Sequence, residues 1–271
     1  MSRLTGKPPI FAALLTLVAL AGSLCPRGVE AQAIWLRGPL DRGTTIEVDK
    51  VAFSEGPGVT TFSLAYYFGT NFPVRRDLVI VGEVPFATAK ISGTVFSNSA
   101  TGNPYVGVEW QQTEALVWEV GARLPLSQNP NVNRASGLGL ASDAADRLEA
   151  WLDRAVTLHL VPNLVHRDRD GLFLRLRGGP SLFLPTGGAT ADSEVIVAYG
   201  GQVGYRGELV HLLGGVSGRV VTGGAGESFN HVAATVGFDL DGFRPSAFVR
   251  VPFGSLEGVS AVYGIALSFG S

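Results

Sequence analysis

The chain is 271 residues long, 46% hydrophobic and 16% charged, with 36 Gly, 15 Pro, one Cys and a formal charge of −2. It is too apolar for a disordered chain and lacks the basic excess of a nucleic-acid binder, and its single cysteine excludes an internal disulfide framework. Lys7, Lys50 and Lys90 are the only lysines, so a polybasic membrane-surface anchor is excluded as well.

Arg3 and Lys7 precede an apolar run from Ile10 to Ala21, and a more polar stretch then leads to Ala31-Gln32-Ala33. This is the form of a signal peptide, with cleavage expected after Ala31 or Ala33. Residues 1–31 are therefore set aside, and 32–271 are read as one domain. The run is about 12 residues, short of the roughly 20 that a spanning helix needs. Cys25 lies before both cleavage sites, and Leu24 stands where a lipoprotein signal has a small residue. Without this segment 18 basic and 22 acidic residues remain. No later stretch has 18 consecutive apolar residues, which excludes a helical membrane protein. A strand of a closed barrel needs only one apolar face and about 10 residues to cross a bilayer, and that reconciles export with the high hydrophobicity.

Period-two alternation runs through the chain. A weaker first strand lies near Thr45 to Phe53. Phe62, Leu64, Tyr66 and Phe68 then face outward, followed by Leu78, Ile80 and Val84 with Glu83 inward. Val106, Val108 and Trp110 oppose Tyr105, Gly107 and Glu109, and Leu116, Trp118, Val120, Ala122 and Leu124 oppose Val117, Glu119, Gly121 and Arg123. A charge in hydrocarbon costs several kcal/mol, so Glu119 and Arg123 are assigned to the inner face.

Ser142 to Arg154 breaks the alternation. A Ser start, an acidic first turn and apolar Leu148, Trp151, Leu152 and Ala155 at helical spacing predict one short amphipathic helix, 142–155, in the longest loop. It is expected to rest on the barrel rim as a lid; folding into the lumen as a constriction, or contact with the membrane or a partner, are the other readings.

Alternation resumes with Val156, Leu158, Leu160 and Leu164. Leu172, Leu174 and Leu176 oppose Phe173, Arg175 and Arg177, and Val195, Val197, Tyr199 and Val203 follow. Val210, Leu212, Val216 and Val220 oppose His211, Ser217 and Arg219, and Val232, Ala234, Val236 and Phe238 oppose His231, Thr235 and Asp239. Phe243, Ala247, Val249 and Val251 oppose Arg244, Ser246 and Arg250. Last, Ala261, Tyr263, Ile265, Leu267 and Phe269 oppose Val262, Gly264, Ala266 and Ser268. The fold class is thus all-β: a closed antiparallel up-and-down transmembrane barrel of about 12 strands. With the N-terminus taken as periplasmic, the periplasmic links are short and most outer links long and polar, the asymmetry of outer-membrane barrels. The outer links Ser54 to Gly58 and Phe253 to Glu257 are short and fit this poorly.

Tyr66-Tyr67-Phe68-Gly69, the run Leu78 to Phe86, the run Gly102 to Trp110, Gly121 to Pro125, and Ser181-Leu182-Phe183-Leu184-Pro185-Thr186-Gly187-Gly188 carry a loose resemblance. Together they resemble Gram-negative outer-membrane barrels of the transporter-like group that includes proteins linked to phenol-degradation pathways. The resemblance implies an outer-membrane location and passage of small, often hydrophobic, solutes, and it brings no catalytic residues. The chain ends Phe269-Gly270-Ser271, whereas many such barrels end on the aromatic residue itself.

The candidate lumen-lining residues are Glu83, Glu109, Glu119, Arg123, Arg175, Arg177, Arg219, Arg244 and Arg250. Acidic residues come from early strands, Glu47 and Asp49 included, and most of the arginines from late ones. Opposing arcs of acidic and basic wall would set a transverse field across the lumen; alternatively the charges pair with one another and fill it. His159, His166, His211 and His231 lack the spacing of a zinc enzyme, and no serine nucleophile motif accompanies them. Asp168-Arg169-Asp170-Gly171 reads as a tight hairpin rather than a calcium loop, because Arg177 stands where a further carboxylate is needed. Gly223 to Gly226 reads as a flexible loop. No enzyme activity and no cofactor or metal is expected. The expected partners are outer-membrane lipid, the barrel assembly machinery and a small-molecule solute. The leading reading is a narrow channel. A non-conducting barrel with a structural or surface-interaction role is the alternative, and a soluble β-sandwich or ligand-binding barrel would need its greasy outer face covered by protein.

Overall fold

A computed structural model of the chain describes residues 39–54, 63–90, 97–127, 133–186, 193–223, 227–256 and 258–270. The signal segment, Cys25 and Phe62 lie outside them. The strands are β1 (Gly43–Phe53), β2 (Leu64–Arg75), β3 (Leu78–Lys90), β4 (Ser97–Thr101), β5 (Tyr105–Gln111), β6 (Leu116–Arg123), β7 (Ala155–Arg167), β8 (Leu172–Pro185), β9 (Glu194–Arg206), β10 (Val210–Val221), β11 (Ser228–Phe238), β12 (Phe243–Gly254) and β13 (Val259–Phe269). Each pairs antiparallel with its chain neighbour, save that β4 and β5 both pair with β3, and β1 pairs with β13 to close the ring. Pairing of β1 with β13 leaves neither terminal strand with a free edge for lipid to meet.

Twelve strands form the wall, because β4 and β5 are two halves of one broken strand. Phe86 is opposite Thr101 and Glu83 is opposite Tyr105, so Gly102-Asn103-Pro104 interrupt the ladder. Links at one end of the barrel are tight, among them Arg76-Asp77 and 207–209. At the other end the links run 54–63, 124–154 and 186–193. Of the first of these, expected to be short, residues 55–62 lie outside the described ones. The β12–β13 link is short, as expected.

The alternation read from the sequence holds along the strands, save that Ala261, expected outward, is buried opposite the register shift at Ala52 and Phe53. Leu158, Leu160, Leu172, Leu174, Val216, Val232, Tyr263 and Ile265 are exposed, and the intervening Thr157, His159, Phe173, Arg175, Ser217, His231, Val262 and Ala266 are buried. Among the described residues no second layer covers the outer face, which removes the soluble reading. Aromatic residues sit at both margins of the belt: Phe72, Trp110, Trp118, Tyr205, Phe238, Phe243 and Phe269 toward the short turns, Tyr66, Phe86, Tyr199 and Phe253 toward the long loops. Along β12, Phe243 and Phe253 are ten residues apart, which at the usual rise and tilt gives about 25 Å, the height of a lipid-facing band. Ile265→Arg on this face is expected to lower the stability of the lipid-embedded barrel by about 2–4 kcal/mol; urea titration in vesicles checks this.

The helix is displaced from its predicted span. It runs as α1, Arg134–Arg147, with a kink at Asp143 and a 3₁₀ turn over Leu148–Ala150, and residues 151–154 are not helical. Asn133, not Ser142, is the N-cap, its side chain accepting from Ala135 N at 2.9 Å. Ser142 lies inside the helix, where its hydroxyl donates back to Gly139 O at 2.8 Å. Gly137 and Gly139 argue against a helix by propensity, but tertiary packing overrides them. A helix with full-sized side chains is about 10–12 Å across, and the small residues Ala135, Gly139, Ala144 and Ala145 keep this one slender enough for the interior it enters.

Candidate functional site

The site is the barrel lumen, and α1 lies inside it. The lid reading is therefore corrected: the helix packs against β1, β2, β3 and β4 on one side and β10 and β11 on the other, and its polar residues are buried. Arg147, in the last turn, pairs with Glu47 on β1, with Glu83 on β3 at 3.3 Å and with Asp143 at 3.2 Å, while its guanidinium lies over the Tyr67 ring. From the wall, Arg250 meets Glu47 at 2.5 Å, Asp49 at 2.7 Å and Asp143 at 3.6 Å. Arg219 donates to Glu149 at 3.0 Å and to the Asp146 carbonyl, and His231 approaches Asp146 at 3.3 Å. Arg123 closes the set on Glu83 at 2.7 Å.

The apolar half of the anchor is Trp151. Its ring is fully buried, lies edge-on to Tyr67, and donates through Nε1 to the Tyr67 hydroxyl at 3.2 Å. Gly139 makes the room: a Cβ there would fall 2.2 Å from the indole. Tyr67 in turn hydrogen-bonds Ser142 Oγ at 2.7 Å.

All nine predicted lumen residues are on inner-face positions, but they do not form one site. Glu83, Arg123, Arg219 and Arg250 gather around α1. Nearer the short turns, Glu109 accepts from Leu40 N at 2.6 Å, Glu119 accepts from the Tyr105 hydroxyl at 3.1 Å, and Arg175 donates to Asn163 Oδ1 at 2.9 and 2.6 Å. Arg177 is half-buried there, and Arg244 pairs with Asp239 at 2.7 Å. The transverse field with acidic and basic walls opposed is not what the wall presents. Closure puts β1 beside β13, so Glu47 and Asp49 lie two strands from Arg250 and pair with it directly. The pairing alternative describes this half of the lumen.

Asp143, Asp146, Arg147 and Glu149 complete the network, and sequence reasoning misses them as lumen groups. Their i, i+3 and i, i+4 spacing is the available signal; a charged helix face is ordinarily solvated, and that points to the outer side of a lid. Burial pushes the Asp143 carboxyl up to about 6, against the pull of Arg250 and Arg147. Burial also raises Glu149, but Arg219 and His159 outweigh it and hold this carboxyl down at about 2. Asp146 is likewise depressed, its hydrogen bond and attraction to His231 overcoming burial.

Three histidines face inward, each against a serine: His159 Nδ1 and Ser181 at 2.8 Å, His231 Nε2 and Ser217 at 2.9 Å, His211 Nε2 and Ser246 at 3.3 Å. The first two pairs are buried behind α1, and Asp146 and Ser217 meet the same nitrogen of His231, whereas a triad uses opposite ones. His166, expected in a turn, is the exposed penultimate residue of β7. Asp143, Asp146 and His231 place ligand atoms within 4.8 Å of one another. Guanidiniums of Arg147 and Arg250 already stand on the Asp143 carboxylate and supply the positive charge a cation would bring.

No family model and no curated protein matches the sequence. Among solved structures, the β-domain of the Bordetella autotransporter BrkA superposes with a TM-score of 0.51 at 10% identity, over 84% of this chain and 99% of that one. The fold is that of an outer-membrane β-barrel. LpxR from Salmonella typhimurium (TM-score 0.47, 12% identity, 84% and 100% covered) and a Pseudomonas aeruginosa FadL homologue (0.39, 12%, 86% and 76%) are more distant.

An outer-membrane barrel must keep its wall continuous, and here the break between β4 and β5 leaves a gap. Above Arg123, β6 ends and, among the described residues, no strand lies between β4 and β7. The 3₁₀ turn packs against the break from the lumen side, held by Asn103. The Asn103 main chain donates to Ala150 O at 2.6 Å, its Nδ2 to Glu149 O at 3.0 Å and Leu152 O at 2.7 Å, and its Oδ1 accepts from Ser127 N at 2.7 Å. Asn103→Ala removes three side-chain bonds at a buried site and is expected to cost about 2–4 kcal/mol locally, seen as faster amide exchange over 148–154 with the strands unchanged.

Proposed function

We propose that this protein is an outer-membrane channel, closed in the form described, through which small solutes pass when α1 leaves its seat. The observation that carries this is the polarity of the anchor. Ion pairs buried in protein are poor sources of net stability, because their desolvation offsets their attraction. Once α1 withdraws, Glu47 and Glu83 exchange Arg147 for water, Arg250 exchanges Asp143 and Arg219 exchanges Glu149, so the open state recovers hydration that an apolar seat would not. The opened lumen is charged on several sides and suits small polar or ionic solutes.

Planar-bilayer recording tests this. Rare openings of the wild type are expected, with a frequency that rises at least tenfold in Arg147→Met. If both proteins are folded and silent, passage is rejected and the non-conducting reading takes its place.

The titration of Asp143 adds a pH dependence. Withdrawn into water, its carboxyl returns to the ordinary value near 3.9, so between about pH 4 and pH 6 the closed state holds the proton more tightly. Acidification from pH 7 to pH 5 is expected to make openings about tenfold rarer. Glu149 and Asp146 act in the opposite sense, their closed-state contribution being lost as pH falls, but only below about pH 4. Open probability measured from pH 7.5 to pH 4.5 checks the sign.

A further inference from the structure

The opposite end of the lumen is also occupied. Pro39 to Arg42, just before β1, turn back into the mouth formed by the short links. Leu40 packs against Val79, Val81 and Tyr105, and its N–H donates to Glu109. Asn71 Nδ2 donates to the Asp41 carbonyl at 3.1 Å. From the other side of the mouth, Arg206 on β9 meets the Asp41 carboxylate at 3.1 Å and Arg167 on β7 reaches it at 4.0 Å. The turn thus spans from β2, β3 and β5 to β7 and β9.

Two features show that this seat is built for a carboxylate and is incompletely used. Arg206 offers Asp41 only Nη1; its Nε and Nη2, the edge that grips a carboxylate with two parallel bonds, are buried with no hydrogen-bond partner. The Phe173 ring lies near both guanidiniums, 4.4 Å from that of Arg206 and 5.7 Å from that of Arg167, and attracts them to one place. On the other side, Leu40 is held at φ 64, a left-handed conformation that L side chains avoid, so the turn is strained while seated.

We propose that Arg206 and Arg167 form a binding site for a small carboxylate solute, which Asp41 occupies as an internal stand-in, and that an entering carboxylate displaces the turn and opens this mouth. The incoming group takes the two-bond edge that Asp41 leaves unused, and the strain at Leu40 is relieved as the turn departs. The site does not require that any solute cross the α1 seat, so it stands or falls separately from conduction.

The test is thiol accessibility in detergent-solubilised full-length protein. Gln202, buried and two inner-face positions above Arg206 on β9, is replaced by Cys in a Cys25→Ala background, and the rate of modification by neutral methyl methanethiosulfonate is measured. Heat-modifiable migration on gels confirms that each barrel is folded. Asp41→Asn is expected to speed labelling at least tenfold, and Asp41→Glu to keep it slow. Butyrate is expected to speed labelling of the protein that retains Asp41 saturably and butyramide to have no effect; Arg206→Met abolishes the butyrate response. Equal labelling rates with and without the Asp41→Asn change, or no distinction between butyrate and its amide, would overturn the proposal.

Discussion

Arg147→Met is expected to lower the stability of the closed lumen by about 3–5 kcal/mol, the usual effect of removing one partner from a buried ion pair. Met keeps the packing volume of the arginine stem, so the change isolates the guanidinium. Glu47 retains Arg250 and Glu83 retains Arg123, which places the effect toward the lower end of that range. The wall is held by ladders between strands, in which the Arg147 side chain takes no part. The expected result is therefore local: amides of 134–150 lose protection from exchange while those of β7 to β13 keep theirs. Arg147→Lys restores charge but not the contacts of a planar fork stacked on Tyr67, and is expected to fall between. In a double-mutant cycle, Arg147→Met with Glu47→Gln should cost less than the sum of the two. A strictly additive result would show that the pair carries no coupling.

Trp151→Ala is expected to have a similar size from a different cause. Deleting a fully buried indole typically costs about 3–5 kcal/mol through lost transfer energy and the cavity left behind. It also strips Tyr67 of the donor at 3.2 Å. Because Gly139 exists to admit the ring, the cavity adjoins a position with no side chain, and adding Gly139→Leu to Trp151→Ala should recover part of the loss. Gly139→Leu alone should be as damaging as the truncation, since its Cβ would collide with the indole. Exchange protection of α1 and the urea midpoint report all three variants. Equal stability of Gly139→Leu and wild type would overturn this account of the seat.

The wall is legible in the sequence because two solvents write on alternate residues. Lipid demands Leu174, Val216 or Ile265 at every second position, and the enclosed side tolerates Arg175, Ser217 or Ala266 between them, so the register of each strand can be read without a partner. The helix is not legible in its proper place. Its fitness for the lumen lies in Gly137, Gly139 and four alanines, which weaken or dilute the helical signal, while the apolar spacing of Leu148, Trp151 and Leu152 belongs to the turn and the residues just after the helix. The pairing of Glu47 and Asp49 with Arg250 depends on closure between strands more than 200 residues apart, a relation that distance along the chain inverts. Asp41 carries no local signal at all. It stands in a turn before the first strand, and only the three-dimensional mouth shows the guanidiniums it meets.

The interruption at Gly102-Asn103-Pro104 bears on how such a barrel can be manipulated and made. Excising residues 124–154 to obtain a simple pore would also strip Asn103 of its partners at the break and Arg219 of Glu149. Truncated versions should therefore leak, misassemble or be degraded for reasons unrelated to gating. By the same logic, the stopper and the interrupted strand hold one another, so neither can be altered without the other.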